Sequence, residues 1–385
     1  MLKFRDSTGA AVLACAVMTL SACGGGGGSS GLASVRLANA TSTHASLDLL
    51  ANGAAAVSAT PTDTVSAYVG VASGGPSLQV NDSATNTALG TIAPTLAGGA
   101  HYIVVAYDNG GTLHTTVIGE DVAAPAAGTS QLRIIDGASD AGAVDVYVTD
   151  PATDIATLST PSFTFPLATT LQTSAFLSFA PGTYRIRVTG SGNPADLRLD
   201  IASVTLASQE VGSVVLTPSV GGTLVNGAVL AQQADYTAAR NPNARVRLAA
   251  AVTPGATVTA NAGGTSISPG NVLSPAVGAY VVIPATAAIN VSVNGASVGA
   301  PTTTLAAGSD ATLLVYGSAA APTATLVTDD NHLPASSSNL KLRLLNGLTG
   351  TPQPLELDAA FAVIASNVAP GTASSYAVVA SSTAL

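Results

Sequence analysis

The sequence predicts an all-β fold made of tandem Ig-like β-sandwich domains. Three observations support this class. Four segments open on the same strand pattern at a spacing near 100 residues, Asn-Gly turns separate strand-like runs, and no segment carries a sustained helical period with caps. A repeat of about 100 residues is the size of one β-sandwich domain. The 385-residue chain is therefore long enough for three or four such domains.

Each repeat opens on a strand in which one arginine stands between two apolar residues. The four arginines lie 97, 114 and 96 residues apart and are Arg36, Arg133, Arg247 and Arg343. Alternating apolar and polar residues are typical of a strand with one buried face, so we expect the arginines on the exposed face.

Aspartates follow the first two opening arginines at an offset of 12 residues, at Asp48 and Asp145. This spacing predicts exposed cross-strand ion pairs between Arg36 and Asp48 and between Arg133 and Asp145. The same pairs are also compatible with a binding face. We favour the exposed ion pairs, because such pairs are common on β-sheets and seldom functional.

Two further landmarks keep register with the arginines. An aromatic residue follows each arginine at offsets of 32, 43, 33 and 33 residues: Tyr68, Phe176, Tyr280 and Tyr376. The longer second offset predicts an insertion around residues 150–170. Nearly continuous apolar runs within residues 96–107, 206–217 and 305–316 predict strands that are central to each sandwich.

These landmarks predict the domain layout. Residues 1–23 form a lipoprotein signal peptide and residues 24–31 a Gly/Ser tether. The β-sandwich repeats then occupy residues 32–127, 128–238 and 241–335, and a partial β repeat occupies residues 338–385. The last repeat has no counterpart of the late apolar run, so we expect a fragment of a longer chain. The alternative is a degenerate repeat with an open sheet edge. We further expect the repeats to follow one another in series away from the membrane.

The first 23 residues have the layout of a secretory signal. Lys3 and Arg5 precede an apolar run over residues 9–20, which is too short to span a bilayer. Leu20-Ser21-Ala22-Cys23 then resembles the bacterial lipoprotein cleavage box, in which the cysteine is lipidated. The alternative is an ordinary signal peptide with a coincidental cysteine. Because Cys15 leaves with the signal, Cys23 is the only cysteine that remains, and lipidation explains its presence.

The opening strand, with Arg followed by Asn or Asp, precedes a second strand such as Val144-Asp145-Val146-Tyr147-Val148. This combination resembles the bacterial domain of unknown function 4397 family (DUF4397), and the resemblance extends over about residues 33–385. It implies an exported, often lipid-anchored array of Ig-like sandwiches. The family supplies no established catalytic residues. Glycine rather than aspartate after the lipobox cysteine implies, by resemblance to lipoproteins, the outer membrane or cell surface.

Composition excludes two classes of protein. The net charge is −9, the only lysines are Lys3 and Lys341, and no basic stripe exists, so nucleic-acid binding is excluded. Apolar residues make up 47% of the chain, yet no second apolar run reaches spanning length, so we exclude an integral membrane protein that spans with helices.

Acidic residues near the repeat ends are the candidate metal ligands. Glu120-Asp121 and Asp329-Asp330-Asn331 fall at equivalent places near domain junctions, where calcium would stiffen a string of sandwiches. We favour solvated linker charge over calcium, because only two or three ligands are local. A second group of acids, from Asp136 to Asp154, lacks the spacing of an EF-hand loop.

Two patterns suggest catalysis only weakly. Gly295-Ala296-Ser297-Val298-Gly299 matches the nucleophile-elbow string, but a turn precedes it and no helix follows, so we regard it as chance. His101 and His114 flank the turn at residues 108–111, and this spacing is compatible with a close approach across a hairpin, but a site of two histidines lacks an obvious third metal ligand. We expect surface or interface roles for the histidines.

We therefore predict a non-catalytic, lipid-anchored cell-envelope protein whose repeats serve binding, adhesion or envelope structure. Its expected partners are the membrane, through the anchor at Cys23, and an unidentified envelope or extracellular ligand. No cofactor is expected. The alternative is a carbohydrate- or polymer-binding module that assists an envelope enzyme, although the chain has no Trp and only 4% aromatic residues.

Overall fold

The computed structural model of the chain describes residues 31–301, 304–348 and 353–382. Cys23 and the Gly/Ser tether lie outside these residues. The all-β prediction is confirmed. In the described residues the only helical elements are two single 3-10 turns, Ser139–Ala141 and Ile155–Thr157. Within the same ranges, no helix is long and apolar enough to cross a membrane.

Repeat 1 is a sandwich of two sheets. Its strands are β1 (Leu32–Ala40), β2 (Ser46–Ala51), β3 (Ala54–Pro61), β4 (Thr64–Val65), β5 (Val69–Ala72), β6 (Leu78–Asp82), β7 (Ala88–Ile92), β8 (His101–Asn109) and β9 (Thr112–Gly119). One sheet has the order β4-β1-β8-β9, with β5 also paired to β1, and the other has the order β3-β2-β6-β7. Strands β1 and β8 run parallel, and every other pair in this repeat is antiparallel.

Repeat 2 has the same plan with one strand more. Its strands are β10 (Ser130–Asp136), β11 (Val144–Thr149), β12 (Phe163–Phe165), β13 (Gln172–Thr173), β14 (Leu177–Phe179), β15 (Gly182–Gly190), β16 (Asn193–Leu206), β17 (Val211–Pro218), β18 (Val225–Ala231) and β19 (Tyr236–Ala239). The sheets are β13-β10-β17-β18-β19, with β14 on β10, and β12-β11-β15-β16. The predicted insertion holds the second 3-10 turn and β12.

Repeat 3 repeats the plan of repeat 1. Its strands are β20 (Asn243–Val252), β21 (Thr257–Ala262), β22 (Thr265–Ser266), β23 (Val272–Leu273), β24 (Ala276–Val277), β25 (Val281–Pro284), β26 (Ile289–Val293), β27 (Ala296–Val298), β28 (Asp310–Ser318) and β29 (Ala321–Asp329). The sheets are β24-β20-β28-β29, with β25 on β20, and β22-β21-β26-β27, with β23 on β21. The parallel pair is β20 with β28.

Repeat 4 consists of two strand pairs in the described residues. Its strands are β30 (Asn339–Leu342), β31 (Leu355–Ala359), β32 (Ala362–Val368) and β33 (Ala377–Ala380). β30 pairs with β33 and β31 with β32, both antiparallel. These pairs match β1 with β5 and β2 with β3 of repeat 1. We call the sheet that holds the opening strand of each repeat the arginine sheet.

Each of the first three repeats encloses an apolar core between its two sheets. Side chains alternate along the opening strand, as the period of two requires. In β1, for example, Ala33, Val35 and Leu37 face the core of repeat 1. Ala38 and Ala40 belong instead to a different cluster.

That different cluster lies between repeats 1 and 2. It buries the outer faces of both arginine sheets, and its buried members are Ala38, Ala40, Val65, Ile103, Val105, Tyr107, Ile135, Val215, Ala228 and Leu230. The arginine sheets of repeats 1 and 2 are therefore covered on both faces. This explains why their central strands are continuously apolar, since a strand buried on both sides needs no polar alternation.

The serial arrangement expected from the sequence is wrong, because repeat 3 contacts repeat 1 as well as repeat 2. His332 of repeat 3 lies with its Nε2 3.2 Å from the Ser42 hydroxyl oxygen of repeat 1. The backbone N–H of Leu333, in the segment between β29 and β30, donates to Asp140 of repeat 2 at 2.8 Å. The Gly221 N–H of repeat 2 donates to the Gly308 carbonyl of repeat 3 at 2.9 Å. A Cβ at Gly221 would lie 2.6 Å from the Asp310 backbone nitrogen, so this contact requires glycine.

Candidate functional site

The opening arginines of repeats 1 and 2 are buried at the junction between repeats. Arg36 and Arg133 are only 2% and 9% exposed. Their side chains do point away from the core of their own repeat, as the alternation along the strand predicts. The expectation that this face meets solvent is wrong, because the neighbouring repeat covers it. A buried guanidinium requires partners for its charge and its five N–H groups.

In repeat 1, the partners of Arg36 are Glu120 and Tyr68. Arg36 forms a two-pronged ion pair with the Glu120 carboxylate, in which Nε donates to Oε2 at 2.8 Å. The guanidinium carbon lies 4.6 Å from the centre of the Tyr68 ring. The Tyr68 hydroxyl donates to the same Glu120 Oε2 at 2.6 Å. We call this set the repeat 1 arginine cluster.

Electrostatics of the cluster follow from its burial. Glu120 is 5% exposed, so its charge and that of Arg36 neutralise each other away from water. Burial, followed by the hydrogen bond to Glu120 and the charge of that carboxylate, raises the pKa of the Tyr68 hydroxyl well above its usual range. Tyr68 therefore stays neutral and acts as a hydrogen-bond donor.

Repeat 3 builds the same cluster around Asp329, which is 1% exposed. Tyr280 donates to Asp329 Oδ2 at 2.6 Å, and Thr312 donates to the same oxygen at 2.7 Å. The opening arginine Arg247 lies 4.8 Å from the Tyr280 ring centre and 3.8 Å from the Asp329 carboxylate. The other Asp329 oxygen forms an ion pair with Arg343, the opening arginine of repeat 4.

A second arginine strengthens the repeat 3 cluster. Arg245 donates through Nε and Nη2 to both oxygens of Asp310, at 2.8 and 2.6 Å. Its guanidinium carbon lies 4.6 Å from the centre of the Tyr280 ring. Asn331 Nδ2 donates to Asp310 at 2.6 Å and to the Tyr280 hydroxyl at 3.2 Å. The cluster is thus one connected hydrogen-bond network.

Repeat 2 has neither the acid nor the tyrosine hydroxyl that the clusters of repeats 1 and 3 contain. Strand register places Gln232 where repeats 1 and 3 have Glu120 and Asp329. Phe176, without a hydroxyl, lies 4.9 Å from the guanidinium carbon of Arg133. Arg133 Nε donates instead to the Ser213 hydroxyl at 3.0 Å. Burial lowers the pKa of Arg133, and the nearby charge of Glu120 opposes that shift.

Arginines also cross the junctions between repeats. Arg133 donates to the Gly119 carbonyl of repeat 1 at 3.2 Å, and Arg343 donates to the Thr328 carbonyl of repeat 3 at 2.7 Å. Both carbonyls immediately precede the cluster acid. In the opposite direction, Arg36 donates to the Ala234 carbonyl of repeat 2 at 2.8 Å. The clusters therefore hold repeats together as well as closing each sandwich.

The predicted pairs of Arg36 with Asp48 and of Arg133 with Asp145 are wrong. The opening strand and the following strand belong to different sheets, so these side chains do not meet. Asp48 accepts hydrogen bonds from the Ala59 N–H and the Ser83 hydroxyl, both at 2.7 Å. Asp145 accepts one from the Gly192 N–H at 2.7 Å. Both aspartates stabilise local turns.

The five calcium candidates have other partners. Glu120, Asp329 and Asn331 are members of the arginine clusters described above. Asp121 accepts hydrogen bonds from the His101 N–H and from Gln233, each at 2.6 Å. Asp330 forms an ion pair with Lys341 at 2.5 Å. In the ranges that the structure describes, no three His, Cys, Asp or Glu side chains gather as a metal site would require. Arginine therefore neutralises Glu120 and Asp329, and lysine neutralises Asp330.

The fold does not place Ser297, or the pair of His101 and His114, in the arrangement that catalysis or metal binding would need. Ser297 lies in β27, which forms a hairpin with β26 through Asn294 and Gly295, both at positive φ. No helix follows, so the strand–turn–helix context of a nucleophile elbow is lacking around Ser297. His101 and His114 do not face each other, because His114 pairs with Tyr107, six residues along β8.

A Ser-His-Asp chain that the sequence does not indicate joins repeat 1 to the segment after β29. His332 Nδ1 lies 2.7 Å from the Asp330 carboxylate, and His332 Nε2 lies 3.2 Å from the Ser42 hydroxyl oxygen. With Asp330 as acceptor, Nδ1 carries the proton and Nε2 accepts from the hydroxyl. This order of atoms is that of an activated serine nucleophile.

The surroundings of Ser42 do not suit acyl transfer. The backbone N–H groups of Ser42 and Thr43, which would be the nearest donors for an oxyanion, both donate to the Asp108 carboxylate, at 2.9 and 3.1 Å. A fixed negative charge there opposes a second one. The chain Ser42–His332–Asp330 therefore serves as a hydrogen-bonded bridge between repeats.

Asp136 is an acid at a position where repeats 1 and 4 have asparagine, and no ion pair neutralises it among the described residues. The equivalent residues of repeats 1 and 4 are Asn39 and Asn346, whose amide nitrogens each donate to two carbonyls. Asp136 accepts from the Ala138 N–H at 3.0 Å, as both asparagines accept from the residue two positions on. Burial raises the pKa of Asp136 to about 6, against the opposing effect of the Ala138 hydrogen bond.

Comparisons with known proteins support the family resemblance over part of the chain. The model of a "Domain of unknown function (DUF4397)" matches residues 33–147, which cover repeat 1 and the start of repeat 2. No curated protein matches the chain. Among solved structures, a candidate cell adhesion protein from Bacteroides uniformis is similar at 12% identity and a TM-score of 0.23, over 53% of this chain and 98% of that one. A likeness at this TM-score carries no argument about this chain.

We expect Glu120→Gln to lower the free energy of unfolding by about 3–5 kcal/mol, because it leaves Arg36 charged and buried. The matched control is Asp200→Asn, which breaks the half-exposed pair with Arg185 and costs about 1 kcal/mol or less. Urea titration followed by far-UV circular dichroism measures both. The double variant Arg36→Met/Glu120→Met recovers most of the loss, since it removes both charges. Equal losses in the single and double variants would contradict the role of the ion pair.

Asp136→Asn tests the buried carboxyl. Because the pKa of Asp136 is raised to about 6 in the folded state, from 3.8, protonation stabilises the fold at low pH. That contribution is complete below about pH 4 and is lost as pH rises through about 6. We expect the variant to melt above the wild type at pH 7 and close to it at pH 4, by differential scanning calorimetry. A pH dependence that survives the substitution would assign it to another group.

We expect no covalent adduct on Ser42 after incubation with a fluorophosphonate, as measured by intact and peptide mass spectrometry. His332→Ala then lowers stability only by the value of one hydrogen bond, about 0.5–1.5 kcal/mol. An adduct on Ser42 that disappears in His332→Ala would show a working nucleophile and refute the structural role.

Proposed function

We propose that the chain is a non-catalytic, lipid-anchored cell-envelope protein whose packed β-sandwich repeats serve binding, adhesion or envelope structure. One observation supports the non-catalytic part of the proposal: the buried carboxylates of Glu120, Asp310 and Asp329 are each held in an ion pair with an arginine of the clusters. The family whose model matches part of the chain has no assigned activity to transfer.

The export and anchoring part of the proposal rests on the N-terminal sequence. The apolar run ends in Leu20-Ser21-Ala22-Cys23, and the tether that follows is long enough to keep the first repeat clear of the lipid surface. A protein with 9% charged residues and a net charge of −9 gains little membrane affinity from electrostatics, which supports a lipid on Cys23 as the proposed anchor.

The alternative of a carbohydrate-binding module is less well supported. Sugar-binding faces depend on exposed aromatic rings that stack on the ligand. The aromatic landmarks Tyr68, Phe176, Tyr280 and Tyr376 each have an arginine guanidinium over the ring, so at least one face of each ring is already in contact.

Cys23→Ala tests the anchor in the full chain expressed in a Gram-negative host. We expect the wild type to incorporate labelled palmitate and enter the detergent phase on Triton X-114 partition. The variant loses the label and moves to the aqueous phase. Cys15→Ala is the matched control, because this cysteine lies within the signal and its loss leaves anchoring unchanged. Retention of Cys23→Ala in the detergent phase would overturn lipidation.

A further inference from the structure

A groove in repeat 2 lies between the open edges of its two sheets. Strand β16 ends one sheet and strand β19 ends the other, and neither has a second partner in the described part of the chain. The groove has a volume of about 430 Å³ and is bordered by residues 200–205 of β16 and residues 237–239 of β19. Open strand edges present unpaired backbone N–H and C=O groups, which readily accept another strand.

This groove is a property of repeat 2 rather than of the common fold. The strand equivalent to β16 has five residues in repeat 1 and three in repeat 3, whereas β16 itself has 14. The arginine sheets of repeats 1 and 3 end at β9 and β29, with no counterpart of β19 in the described residues. Proteins usually keep edge strands short to avoid unwanted pairing. A long edge strand in one repeat alone therefore indicates that it serves to pair with another strand.

The side chains that line the groove indicate what kind of ligand it would bind. Ile201, Val204 and Val229 supply an apolar floor, and Glu210 and Asp235 lie at its rim. Neither rim carboxylate has an arginine, lysine or histidine partner within the described ranges. The one basic residue that lines the groove, Arg240, donates to the Thr62 carbonyl of repeat 1 at 3.4 Å.

We propose that this groove binds an extended, basic segment of a partner polypeptide, which adds as a strand to the free edge of β16. The inference rests on the proposed binding function and names the class of partner. Main-chain hydrogen bonds to β16 supply affinity, and lysine or arginine side chains of the segment meet Glu210 and Asp235. Residues 200–205 give room for a segment of about six residues, or about 20 Å.

Fluorescence anisotropy with synthetic hexapeptides tests the proposal. The probe is fluorescein-labelled Val-Lys-Thr-Lys-Val-Thr, and the comparison peptides are Val-Glu-Thr-Glu-Val-Thr and the basic peptide with alternate backbone nitrogens methylated. We expect the basic peptide to bind, the acidic peptide to bind at least about fivefold more weakly, and the methylated peptide not to bind. Binding of the basic peptide weakens as salt rises.

Variants of the full chain locate the site. Glu210→Gln/Asp235→Asn weakens the basic peptide by about fivefold, whereas the matched control Glu356→Gln/Asp358→Asn, in exposed positions of repeat 4, leaves its affinity unchanged. Equal affinity for the basic and acidic peptides, or no binding up to about 1 mM, overturns the proposal. So does preferential binding of a chitin hexasaccharide in a competition assay, or self-association through this edge in sedimentation velocity. The Cys23→Ala partition experiment is independent, so either proposal can fail alone.

Discussion

A guanidinium buried between two sandwiches is the constraint on which the rest of the structure depends. Arg36 has its carboxylate partner at the end of β9, its aromatic partner just before β5 and a carbonyl partner in repeat 2. These groups come together only when repeat 1 has closed and repeat 2 has docked on it. Because an uncompensated buried charge costs several kcal/mol, closing the sandwich and docking the next repeat are coupled.

The clusters also show how repeats diverge without losing this constraint. Repeat 2 lacks both the acid and the hydroxyl, and Ser213 and the Gly119 carbonyl take over the N–H groups of Arg133. Phe176 takes the place of the tyrosine and keeps the contact between the aromatic ring and the guanidinium of Arg133. Burial lowers the pKa of Arg133, and the charge of Glu120 in repeat 1 opposes that shift, so the acid of one cluster also acts on the arginine of the next.

Packing between repeats changes what the molecule presents outward. The arginine sheets of repeats 1 and 2 are buried against each other, and the segment after β29 reaches both repeats through His332 and Leu333. The faces that remain open are the second sheets, the turns and the sheet edges. Of these edges, the long one of β16 is the strongest place to look for a partner, since among the described residues one side of its backbone has no strand partner and the acids at its rim have no cationic partner.

The sequence by itself determined the all-β class, the repeat spacing, the equivalence of the four arginines and the insertion of repeat 2. These follow from local patterns, because the period of two fixes which face of a strand a side chain occupies. The lipidation of Cys23 is a prediction of the same local kind. Local patterns could not predict that the arginines are buried, since alternation along a strand does not show what covers the outer face of the sheet.

Only the tertiary structure determined which side chains pair with one another. It brought Glu120 to Arg36 across 84 residues and His332 to Ser42 across 290, distances over which sequence spacing carries no information. It also separated Arg36 from Asp48, which are near in sequence but lie in different sheets. One signal was present in the sequence: the aromatic and the acid lie at nearly the same offsets from the arginine in repeats 1 and 3. The physical reason for those offsets is the need to neutralise a buried cation, which becomes visible only once the neighbouring repeat is seen to exclude water.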